Sequence, residues 1–333
     1  MAPASSSADV ITHEIETARA WHGDGLTPAD WTVPVPAACV KEMDEAIGRL
    51  RAASPVPVDS LTPSHFSLPH CTALMQAARA KLLDGPGMAV IDRFPVERYA
   101  AEEAKAIGWL LASLLGRVVA QKQDGTRLYD VKDSGQALGY GVRRSVTNLS
   151  QPFHTDGPWL WQPPALIGLF CLAAALDGGD SRVTSLVSAH NAMRARHPRL
   201  LARLYRPFHW DRQAELGPGE AAWATHPVFA SVGGALAARY YDDYIANGQR
   251  LAGAPLDGEG ADALAALREI VDAVEHRVEF RIESGQLQCL DNRQLAHSRT
   301  AFKDSPGPAR TRHMLRLWTR EEGTPHIDGQ RPL

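Results

Sequence analysis

The 333-residue chain is predicted to fold as an α+β protein, with a double-stranded β-helix (jelly-roll) core backed by helices. Two helical patterns, at residues 71–83 and 99–115, precede a region that is mostly β. After residue 153 short strand patterns dominate, and a clear amphipathic helix interrupts them at 262–275. Many short strands with one long helical insertion, preceded by two helices, are the pattern of a jelly-roll barrel.

A helical and irregular extension, residues 1–70, is predicted to pack on this core. Residues 11–51 alternate helical pieces with Trp21 and Trp31. Four prolines then make 52–70 an irregular connector: Pro55, Pro57, Pro63 and Pro69. The remaining residues, 71–333, are predicted to form the jelly-roll domain that carries the candidate functional residues described below.

The core domain is predicted from turn signals and periodicity. Gly85-Pro86-Gly87 and Gly116 end the first two helices. Helices are expected at 71–83, 99–115, and as insertions near 188–206 and 259–276. Strands are expected at 88–91, 118–121, 127–131, 165–172, 207–210, 227–232, 235–241, 278–282, 287–290 and 312–319.

The composition is that of an ordinary soluble globular protein, with 44% hydrophobic and 22% charged residues. The formal net charge is -3 and no basic stripe is present, so nucleic acid is not expected as a partner. The longest apolar run, residues 165–176, is too short to span a membrane. We therefore expect a small-molecule partner, no nucleic acid and no membrane, and leave a homo-oligomer open.

The cysteines and the N-terminus bear on the compartment. The four cysteines are scattered, and their spacing matches neither a disulfide framework nor a zinc site: Cys39, Cys71, Cys171 and Cys289. Residues 1–7 contain no basic segment and no apolar segment, so they do not resemble a secretory signal. Reduced thiols and a cytoplasmic location are the expectation.

The strongest chemical signal is the stretch Phe153-His154-Thr155-Asp156-Gly157-Pro158-Trp159. Residues i and i+2 of an extended segment point to the same side, so His154 and Asp156 can converge on one point. A neutral imidazole and a carboxylate that converge suggest a divalent metal. A second histidine from far along the chain would complete the two-His-one-carboxylate facial triad of non-heme Fe(II) oxygenases.

His297 is the candidate for the second histidine, because it follows a predicted strand and so can lie at a barrel rim. Arg312 and Arg316 come after it on the last predicted strand, where they face the same way. Two arginines on one apolar wall are costly unless each has an anion. The alternative is an exposed strand face with solvated charges, against which the flanking Met314 and Trp318 argue.

Four motifs occur in a fixed order: His154-Thr155-Asp156; Gly178-Gly179-Asp180-Ser181; Asp291-Asn292-Arg293 with His297; and Arg312-His313-Met314-Leu315-Arg316-Leu317-Trp318. This order resembles the taurine dioxygenase/clavaminate synthase-like family of Fe(II)- and 2-oxoglutarate-dependent oxygenases. Each motif alone is common, but four in this order, spanning residues 85–320, are specific. The resemblance implies a jelly-roll oxygenase whose cofactors are Fe(II), the cosubstrate 2-oxoglutarate and O2.

The resemblance also implies a role for each matched position. His154, Asp156 and His297 would bind Fe(II) on one face and leave three coordination positions open. 2-Oxoglutarate would take two of them, and Ser181 with Arg312 would bind its C5 carboxylate, for which the planar guanidinium fork is suited. In related halogenases a small residue replaces the carboxylate, so Asp156 argues against halogenation.

Five residues are candidate contacts of the primary substrate. By resemblance, Arg316 would bind its anionic end. Asn148 either orders the substrate or is a turn residue, and Trp159 either lines the pocket or packs under the barrel lip. Asp242 and Asp243 either meet a substrate ammonium from a lid loop or stand at a helix N-terminus with solvated carboxylates. Together with Arg316, the two aspartates suggest an amino-acid-like substrate.

The predicted reaction is oxidation, most simply hydroxylation, of a small carboxylate-bearing or amino-acid-like molecule, with release of succinate and CO2. Desaturation, cyclisation and N-oxygenation by the same site remain open. Three other classes compete. A zinc hydrolase would have no use for Arg312, a non-catalytic jelly-roll binding protein would have no need of the intact triad, and a nucleic-acid demethylase would need the basic stripe that is missing.

Overall fold

A computed structural model describes residues 10–137, 139, 141–304 and 311–329. Residues 1–9, on which the secretory-signal argument depends, lie outside the described residues. The helices of the described chain are α1 (Pro28–Trp31), α2 (Ala37–Ala52), α3 (Pro69–Leu83), α4 (Ala101–Leu115), α5 (Leu186–Arg196), α6 (Pro198–Leu204), α7 (Asp242–Leu251) and α8 (Gly258–Asp272). None of these helices is long and apolar enough to cross a lipid bilayer.

The strands occur mostly in runs without an intervening α-helix. They are β1 (Thr32–Val33), β2 (Met88–Ile91), β3 (Arg117–Val119), β4 (Tyr129–Val131), β5 (Gln151–His154), β6 (Leu166–Ala173), β7 (Asp177–Gly178), β8 (Ser181–Ser185), β9 (Phe208–Asp211), β10 (Trp223–His226), β11 (Phe229–Val232), β12 (Ala235–Ala238), β13 (Arg277–Phe280), β14 (Leu287–Asp291), β15 (Leu295–Arg299), β16 (Phe302–Lys303) and β17 (His313–Arg320). The predicted α+β class is therefore confirmed.

Two sheets form the centre of the molecule. The larger has the strand order β1-β2-β14-β6-β17-β3, and β4 also pairs with β17. The smaller has the order β13-β8-β15-β5. Apart from the parallel pair β1–β2, the strand pairs within both sheets are antiparallel. Because β15 lies between β8 and β5, three distant parts of the sequence meet on the smaller sheet.

Strand β17 shows how the sheet separates its two faces. Leu315 and Leu317 belong to the apolar cluster that includes Ile107 and Leu111 of α4. Arg316 and Trp318, which alternate with them, instead approach Asp156. Because successive side chains of a strand point to opposite faces, one strand supplies both the support under the helices and the wall of a polar cavity.

The N-terminal segment packs on both sheets. Strand β1 adds an edge to the larger sheet through β2, and Trp21 donates a hydrogen bond of 2.8 Å to the Pro86 carbonyl. The Glu42 carboxylate accepts from the backbone N–H groups of His70 and Cys71 at 2.9 Å, so it caps the start of α3. The boundary placed at residue 70 stays a prediction.

Several sequence-based element predictions need correction. His297 follows the strand predicted at 287–290, as expected, but it lies inside a further strand, β15, which was not predicted because Ser298 and Arg299 break the apolar alternation that marks a strand. A strand was expected over 235–241 and a loop over 240–244, whereas β12 ends at Ala238 and α7 begins at Asp242. The helical insertions at 188–206 and 259–276 agree with α5, α6 and α8 within a few residues.

Candidate active site

The pairing of β5 with β15 places His154 directly opposite His297. Their ring centroids are 4.2 Å apart. Oδ1 of Asp156 lies 3.4 Å from Nε2 of His154, and one ligand atom from each of the three residues lies within 4.8 Å of the others. All three side chains are buried. Two imidazoles and one carboxylate in this arrangement fit the facial triad that binds Fe(II).

The backbone around Asp156 is tightly fixed. Gly157 has a φ of 61°, and a Cβ at this position would lie 2.7 Å from a methyl carbon of Leu160, so the turn requires glycine. The Asn292 side chain accepts from Asp156 N–H at 2.7 Å and donates to the Asp156 carbonyl at 2.9 Å. Asn292 thus fixes the backbone N–H and carbonyl of Asp156, and with them the position of the carboxylate that would bind the metal.

The protonation states suit metal binding. Burial alone would raise the pKa of Asp156, but the Arg316 guanidinium and the two imidazoles hold that pKa well below its usual range. Burial lowers the pKa of His297 to about 3, so its imidazole is neutral at physiological pH. His154 Nδ1 lies 2.9 Å from the Pro152 carbonyl, an arrangement that protonates Nδ1 and leaves Nε2 as the ligand atom.

A second layer of side chains orients the carboxylate of Asp156. Trp318 Nε1 donates to Oδ2 at 2.7 Å, and Arg316 Nη1 donates to Oδ1 at 3.3 Å. Arg316 Nε also donates to the Gln121 side chain at 2.7 Å. Nη2 of Arg316 is buried without a hydrogen-bond partner among the described residues, so this guanidinium has donor capacity left for a ligand.

A narrow cavity next to the two histidines is lined by Ser181, Gln288 and Arg312. The Ser181 hydroxyl donates to Oε1 of Gln288 at 2.7 Å. Gln288 Nε2 and Arg312 Nη1 are both buried and have no partner within the described chain. Three donors that converge on one small space, two of them unsatisfied, are suited to a carboxylate.

A second arginine strengthens the positive charge of this cavity. Arg299 and Arg312 both pack on the Phe302 ring, with guanidinium carbons 4.8 and 5.2 Å from its centroid. Burial lowers the pKa of Arg299 to about 9 and also lowers that of Arg312. In the part of the chain that the structure describes, no carboxylate lies within 4 Å of either guanidinium group, although the backbone N–H of Arg312 donates to Asp304 at 2.7 Å. Because no carboxylate contacts these two buried guanidinium groups, this end of the site is suited to binding an anionic ligand.

On the other side of His154 lies a second cavity, lined mainly by arginines and aromatic rings: Arg143, Arg144, Trp159, Tyr241, Tyr244, Arg316 and Trp318. Tyr241 and Tyr244 stack with centroids 4.0 Å apart, and Tyr241 lies 5.0 Å from the His154 ring. Gln151 Nε2 is 2.9 Å from His154 Nε2. This cavity is placed where a substrate next to the metal ligands would bind.

The structure sorts the four less certain substrate candidates. Trp159 does line the second cavity, and its indole ring lies 5.5 Å from Tyr244. The Asn148 side chain is exposed, and its backbone carbonyl accepts from Phe302 N–H, so its position is that of a turn residue. Neither Asp242 nor Asp243 lines the cavities beside the metal ligands.

The two aspartates instead begin α7. Asp242 forms an ion pair with Arg268, and the largely exposed Asp243 lies 3.7 Å from Arg144. The neighbouring tyrosines, Tyr241 and Tyr244, do line the cavity beside His154. The reason is that α7 turns its apolar face inward, so that Tyr244 and the preceding Tyr241 lie near His154, while the two carboxylates pair with arginines and line neither cavity.

Sequence reasoning missed most of the residues that surround the ligands: Gln121, Arg143, Gln151, Gln288 and Arg299. For one of them a signal existed, because Gln288 is a polar residue inside the apolar run Leu287-Gln288-Cys289-Leu290. The others come from irregular segments, from the start of β5 or from β15, where no periodicity marks a residue as buried.

A larger cavity, of about 720 Å³, lies apart from the metal ligands. The β11–β12 hairpin and the end of β17 line it, together with Arg239 and Arg293. No histidine is among its described lining residues, so we place the chemistry in the two smaller cavities.

Comparisons with known proteins agree with this geometry. The model of the taurine catabolism dioxygenase TauD, TfdA family matches residues 54–318, which is most of the chain. FR-33289 synthase of Streptomyces rubellomurinus is 27% identical over 299 residues, which cover 88% of this chain and 86% of that protein. Uridine-5'-phosphate dioxygenase of an Amycolatopsis species is 28% identical over 185 residues, which cover 53% of this chain and 66% of that protein.

Solved structures show the same fold at lower sequence identity. Asparagine oxygenase in complex with Fe(II), 2S,3S-3-hydroxyasparagine and succinate superimposes with a TM-score of 0.65 at 19% identity, covering 87% of this chain and 93% of that one. The non-heme iron oxygenase OrfP in complex with Fe and alpha-ketoglutaric acid superimposes with a TM-score of 0.62 at 15% identity, covering 87% and 94%. The chain belongs to the TauD/TfdA family of dioxygenases, whose cofactors are Fe(II), 2-oxoglutarate and O2.

Proposed function

We propose that the protein is an Fe(II)- and 2-oxoglutarate-dependent dioxygenase that hydroxylates a small anionic molecule and releases succinate and CO2. One observation carries this proposal. The buried set His154, Asp156 and His297 lies beside Arg299 and Arg312, two guanidinium groups without a carboxylate partner among the described residues. A 2-oxo diacid cosubstrate requires a metal site next to a positively charged site that can bind its distal carboxylate.

The donor set fits Fe(II). His154 Nε2, a carboxylate oxygen of Asp156 and a ring nitrogen of His297 would hold the metal on one face. Bound iron with 2-oxoglutarate would supply the activation of O2 that protein side chains cannot perform. Trp318, Arg316 and Asn292 keep the Asp156 carboxylate oriented toward the imidazoles, which is the usual task of groups behind a metal ligand.

The cosubstrate would extend from the metal into the cavity of Ser181, Gln288 and Arg312. The guanidinium of Arg312 and the Ser181 hydroxyl would bind its C5 carboxylate, as the family resemblance implies. The unsatisfied amide nitrogen of Gln288 supports the same location, because a carboxylate there would give a buried donor its missing partner.

The primary substrate would occupy the cavity between His154, Trp159 and Tyr241, with its anionic end at Arg316. The free Nη2 of Arg316 supports this assignment. Hydroxylation is the simplest outcome, and the asparagine oxygenase structure is a complex that contains a hydroxylated amino acid, 3-hydroxyasparagine. Desaturation, cyclisation and N-oxygenation are the alternatives for the same site.

Two finer inferences accompany the proposal. We infer that the two facing sheets are the halves of a double-stranded β-helix, because antiparallel strands from distant sequence interleave in both of them. We also infer a cytoplasmic location, which the four buried cysteines without disulfides support.

The proposal is tested by succinate formation from 2-oxoglutarate with and without added Fe(II). We expect Fe(II)-dependent succinate in the wild-type protein and loss of it in His154→Ala, Asp156→Ala and His297→Ala. His65→Ala, at an exposed histidine remote from the site, is the matched control and should behave as the wild type. A zinc hydrolase or a non-catalytic binding protein would form no succinate, and that result would reject the proposal.

A further inference from the structure

The substrate cavity contains a pair of arginines that resembles the pair at the cosubstrate end. Arg143 and Arg316 lie with their guanidinium carbons 5.7 and 4.7 Å from the centroid of the Tyr129 ring. Both line the cavity next to His154. At the cosubstrate end, Arg299 and Arg312 flank Phe302 in the same manner. Each end of the site thus offers two guanidinium groups gathered around one aromatic ring.

The supply of negative charge in these cavities is small. Among the described residues that line them, Asp156 is the only carboxylate, and its role as a metal ligand commits it. Asp243, at the rim, already lies beside Arg144. Arg143, Arg144 and Arg316 lie beside the carboxylates of Glu215, Asp243 and Asp156, respectively, so each of these carboxylates already has a cationic partner. A substrate ammonium would therefore enter a buried space without a free carboxylate to pair with, which is unfavourable for a cation.

Arg143 is held in place by a loop outside the cavity. Its Nη2 donates to Oε1 of Glu215 at 2.7 Å, and the side chains of this ion pair are only 9% and 11% exposed. Oε2 of Glu215 accepts from the backbone N–H of Gln123 at 2.7 Å. Glu215 therefore ties together two segments beside the cavity: one carries Gln121 and Tyr129, which contact Arg316, and the other carries Arg143.

The loop that carries Glu215 is strained. Gln213 and Ala214 have φ values of 53° and 60°, a conformation that residues with a side chain adopt at a cost. The strain is maintained by the buried Asp211, whose carboxylate accepts from the backbone and side-chain nitrogens of Gln213 at 2.7 and 2.6 Å. Two successive strained residues directly before Glu215 indicate that its position matters more than the relaxation of the loop.

The connection continues to the metal ligand. Arg143 donates to the Gln121 carbonyl at 3.3 Å, and the Gln121 side chain accepts from Nε of Arg316 at 2.7 Å. Arg316 in turn contacts Asp156. The two guanidinium groups are thus fixed relative to each other and to the metal site, so an anion that bridges them would be placed at a defined distance from the reacting centre.

We propose that the primary substrate is an organic anion without an ammonium group, bound between Arg143 and Arg316, and that Glu215 is a positioning residue for Arg143. This inference rests on the proposed function. The shared chemistry is a phosphate, phosphonate, sulfonate or carboxylate group. A phosphate-bearing substrate is named for one relative, uridine-5'-phosphate dioxygenase, whereas asparagine oxygenase and OrfP are structural neighbours whose complexes contain amino acids.

The substrate class is tested by binding of matched probes to the protein with Fe(II) and saturating 2-oxoglutarate under argon. The quenching of tryptophan fluorescence reports binding, because Trp159 and Trp318 line the cavity. Propylphosphonate, propanesulfonate and propanoate distinguish the sources of the anion. We expect 3-aminopropylphosphonate and β-alanine to bind about tenfold more weakly than propylphosphonate and propanoate, since their ammonium finds no partner. Equal or tighter binding of the ammonium compounds, or of neutral propanamide, overturns the inference.

The role of Glu215 is tested by the sign of one change. If only the overall charge mattered, Glu215→Gln would tighten binding of propylphosphonate, because it removes a negative charge. If Glu215 positions Arg143, the same variant weakens binding, and we expect a loss of about fivefold, somewhat less than in Arg143→Gln. In the double variant the loss should equal that of Arg143→Gln alone, because Glu215 acts through Arg143. Tighter binding in Glu215→Gln, or losses that add, overturns the assignment.

Glu220→Gln is the matched control, since Glu220 lies on the same loop but pairs with Arg212, which lines neither cavity beside the metal ligands. It should bind the probes as the wild type does.

If Glu215→Gln does not fold, the variant Arg143→Lys tests the same role. It keeps the positive charge but cannot bond Glu215 and Gln121 at the same time, so we expect weaker binding of the probes. Unchanged binding overturns the role of Arg143. Succinate formation by the wild type is measured separately. Its absence rejects the proposed function, whereas its presence with ammonium-tolerant binding rejects only this inference.

Discussion

The indole nitrogen of Trp318 donates a hydrogen bond of 2.7 Å to Oδ2 of Asp156, while Oδ1 of the same carboxylate faces His154 Nε2 at 3.4 Å. Oδ2 is therefore held by the indole, whereas Oδ1, which also accepts from Nη1 of Arg316 at 3.3 Å, faces the His154 imidazole. This division of the carboxylate sets the orientation of the metal-binding group before a metal arrives.

Loss of the indole hydrogen bond should weaken metal binding. In Trp318→Phe the ring still fills the space, but Asp156 loses its fixed donor, so we expect the affinity for Fe(II) or Mn(II) to fall by about tenfold. Calorimetric titration under argon measures the change. Trp109→Phe, which removes a buried indole bond to the Leu61 carbonyl remote from the site, should leave the affinity unchanged; an equal loss in both variants would assign the effect to packing.

Asn292 should be essential for the shape of the metal-binding turn. Its amide nitrogen donates to the carbonyls of Asp156 and Pro164 at 2.9 and 3.0 Å. In Asn292→Asp an oxygen replaces that donor and faces two carbonyl oxygens, so we expect the free energy of unfolding to drop by about 2–3 kcal/mol. Urea denaturation at neutral pH measures it. A variant as stable as the wild type would show that the turn does not depend on this amide.

Arg312, directly before β17, and Arg316, within it, should bind different ligands. Arg312→Ala should weaken 2-oxoglutarate binding by an amount on the order of 2–5 kcal/mol, because the C5 carboxylate would lose its charged partner. Arg316→Ala should mainly affect the primary substrate and the metal ligand Asp156. Anaerobic titration of both variants with 2-oxoglutarate decides between them. If Arg316→Ala raises the cosubstrate requirement and Arg312→Ala does not, the two assignments are exchanged.

Gln288 offers a test of the cosubstrate cavity that needs no primary substrate. Gln288→Glu keeps an acceptor for Ser181 but replaces the unsatisfied nitrogen with a carboxylate oxygen near Arg312. That carboxylate would compete with the C5 carboxylate, so we expect 2-oxoglutarate affinity to fall by about tenfold or more. Gln136→Glu, at an exposed glutamine, adds the same charge as a control. Unchanged affinity in Gln288→Glu would place the cosubstrate elsewhere.

His190 should make the folded protein sensitive to acid. It is fully buried in α5 against Tyr205, and burial lowers the pKa of its imidazole from 6.5 to about 4. Below about pH 6.5 the unfolded chain takes up the proton and the folded chain does not, so the free energy of unfolding declines as the pH falls toward 4. At about pH 5 this decline amounts to roughly 2 kcal/mol for one such group.

The variant His190→Gln should therefore lose less stability between neutral pH and about pH 5 than the wild type does. Urea denaturation at both pH values measures the difference. The same substitution at the exposed His65 should not alter the decline. An identical decline in His190→Gln and the wild type would show that other groups dominate the response to acid.

Much of the site could be predicted because its residues occur in local patterns. His154 and Asp156 are two positions apart at the end of β5, and Arg312 and Arg316 are four positions apart at the start of β17. Such spacings are set by the geometry of the backbone and need no tertiary structure. The α+β class followed in the same way, from helical and strand periodicities that survive in the folded protein.

The failures have a common cause. Strand β15 is buried on both faces, and its residues His297, Ser298 and Arg299 break the apolar alternation by which a strand is recognised. For Asp242 and Asp243 the sequence left open whether they meet the substrate or stand at a helix N-terminus, because the direction of a side chain on α7 depends on which helix face packs inward. Local sequence does not specify that choice.

The sequence by itself determined the ligand types, their order along the chain and the strand that carries two arginines. Only the tertiary structure decided which imidazole faces which carboxylate oxygen, that the amide nitrogen of Gln288 has no partner among the described residues, and that Glu215 reaches Arg143 from another loop. The physical reason is that hydrogen bonds and ion pairs in a buried site join residues that are many positions apart, and their formation depends on the packing of whole sheets, which no local spacing encodes.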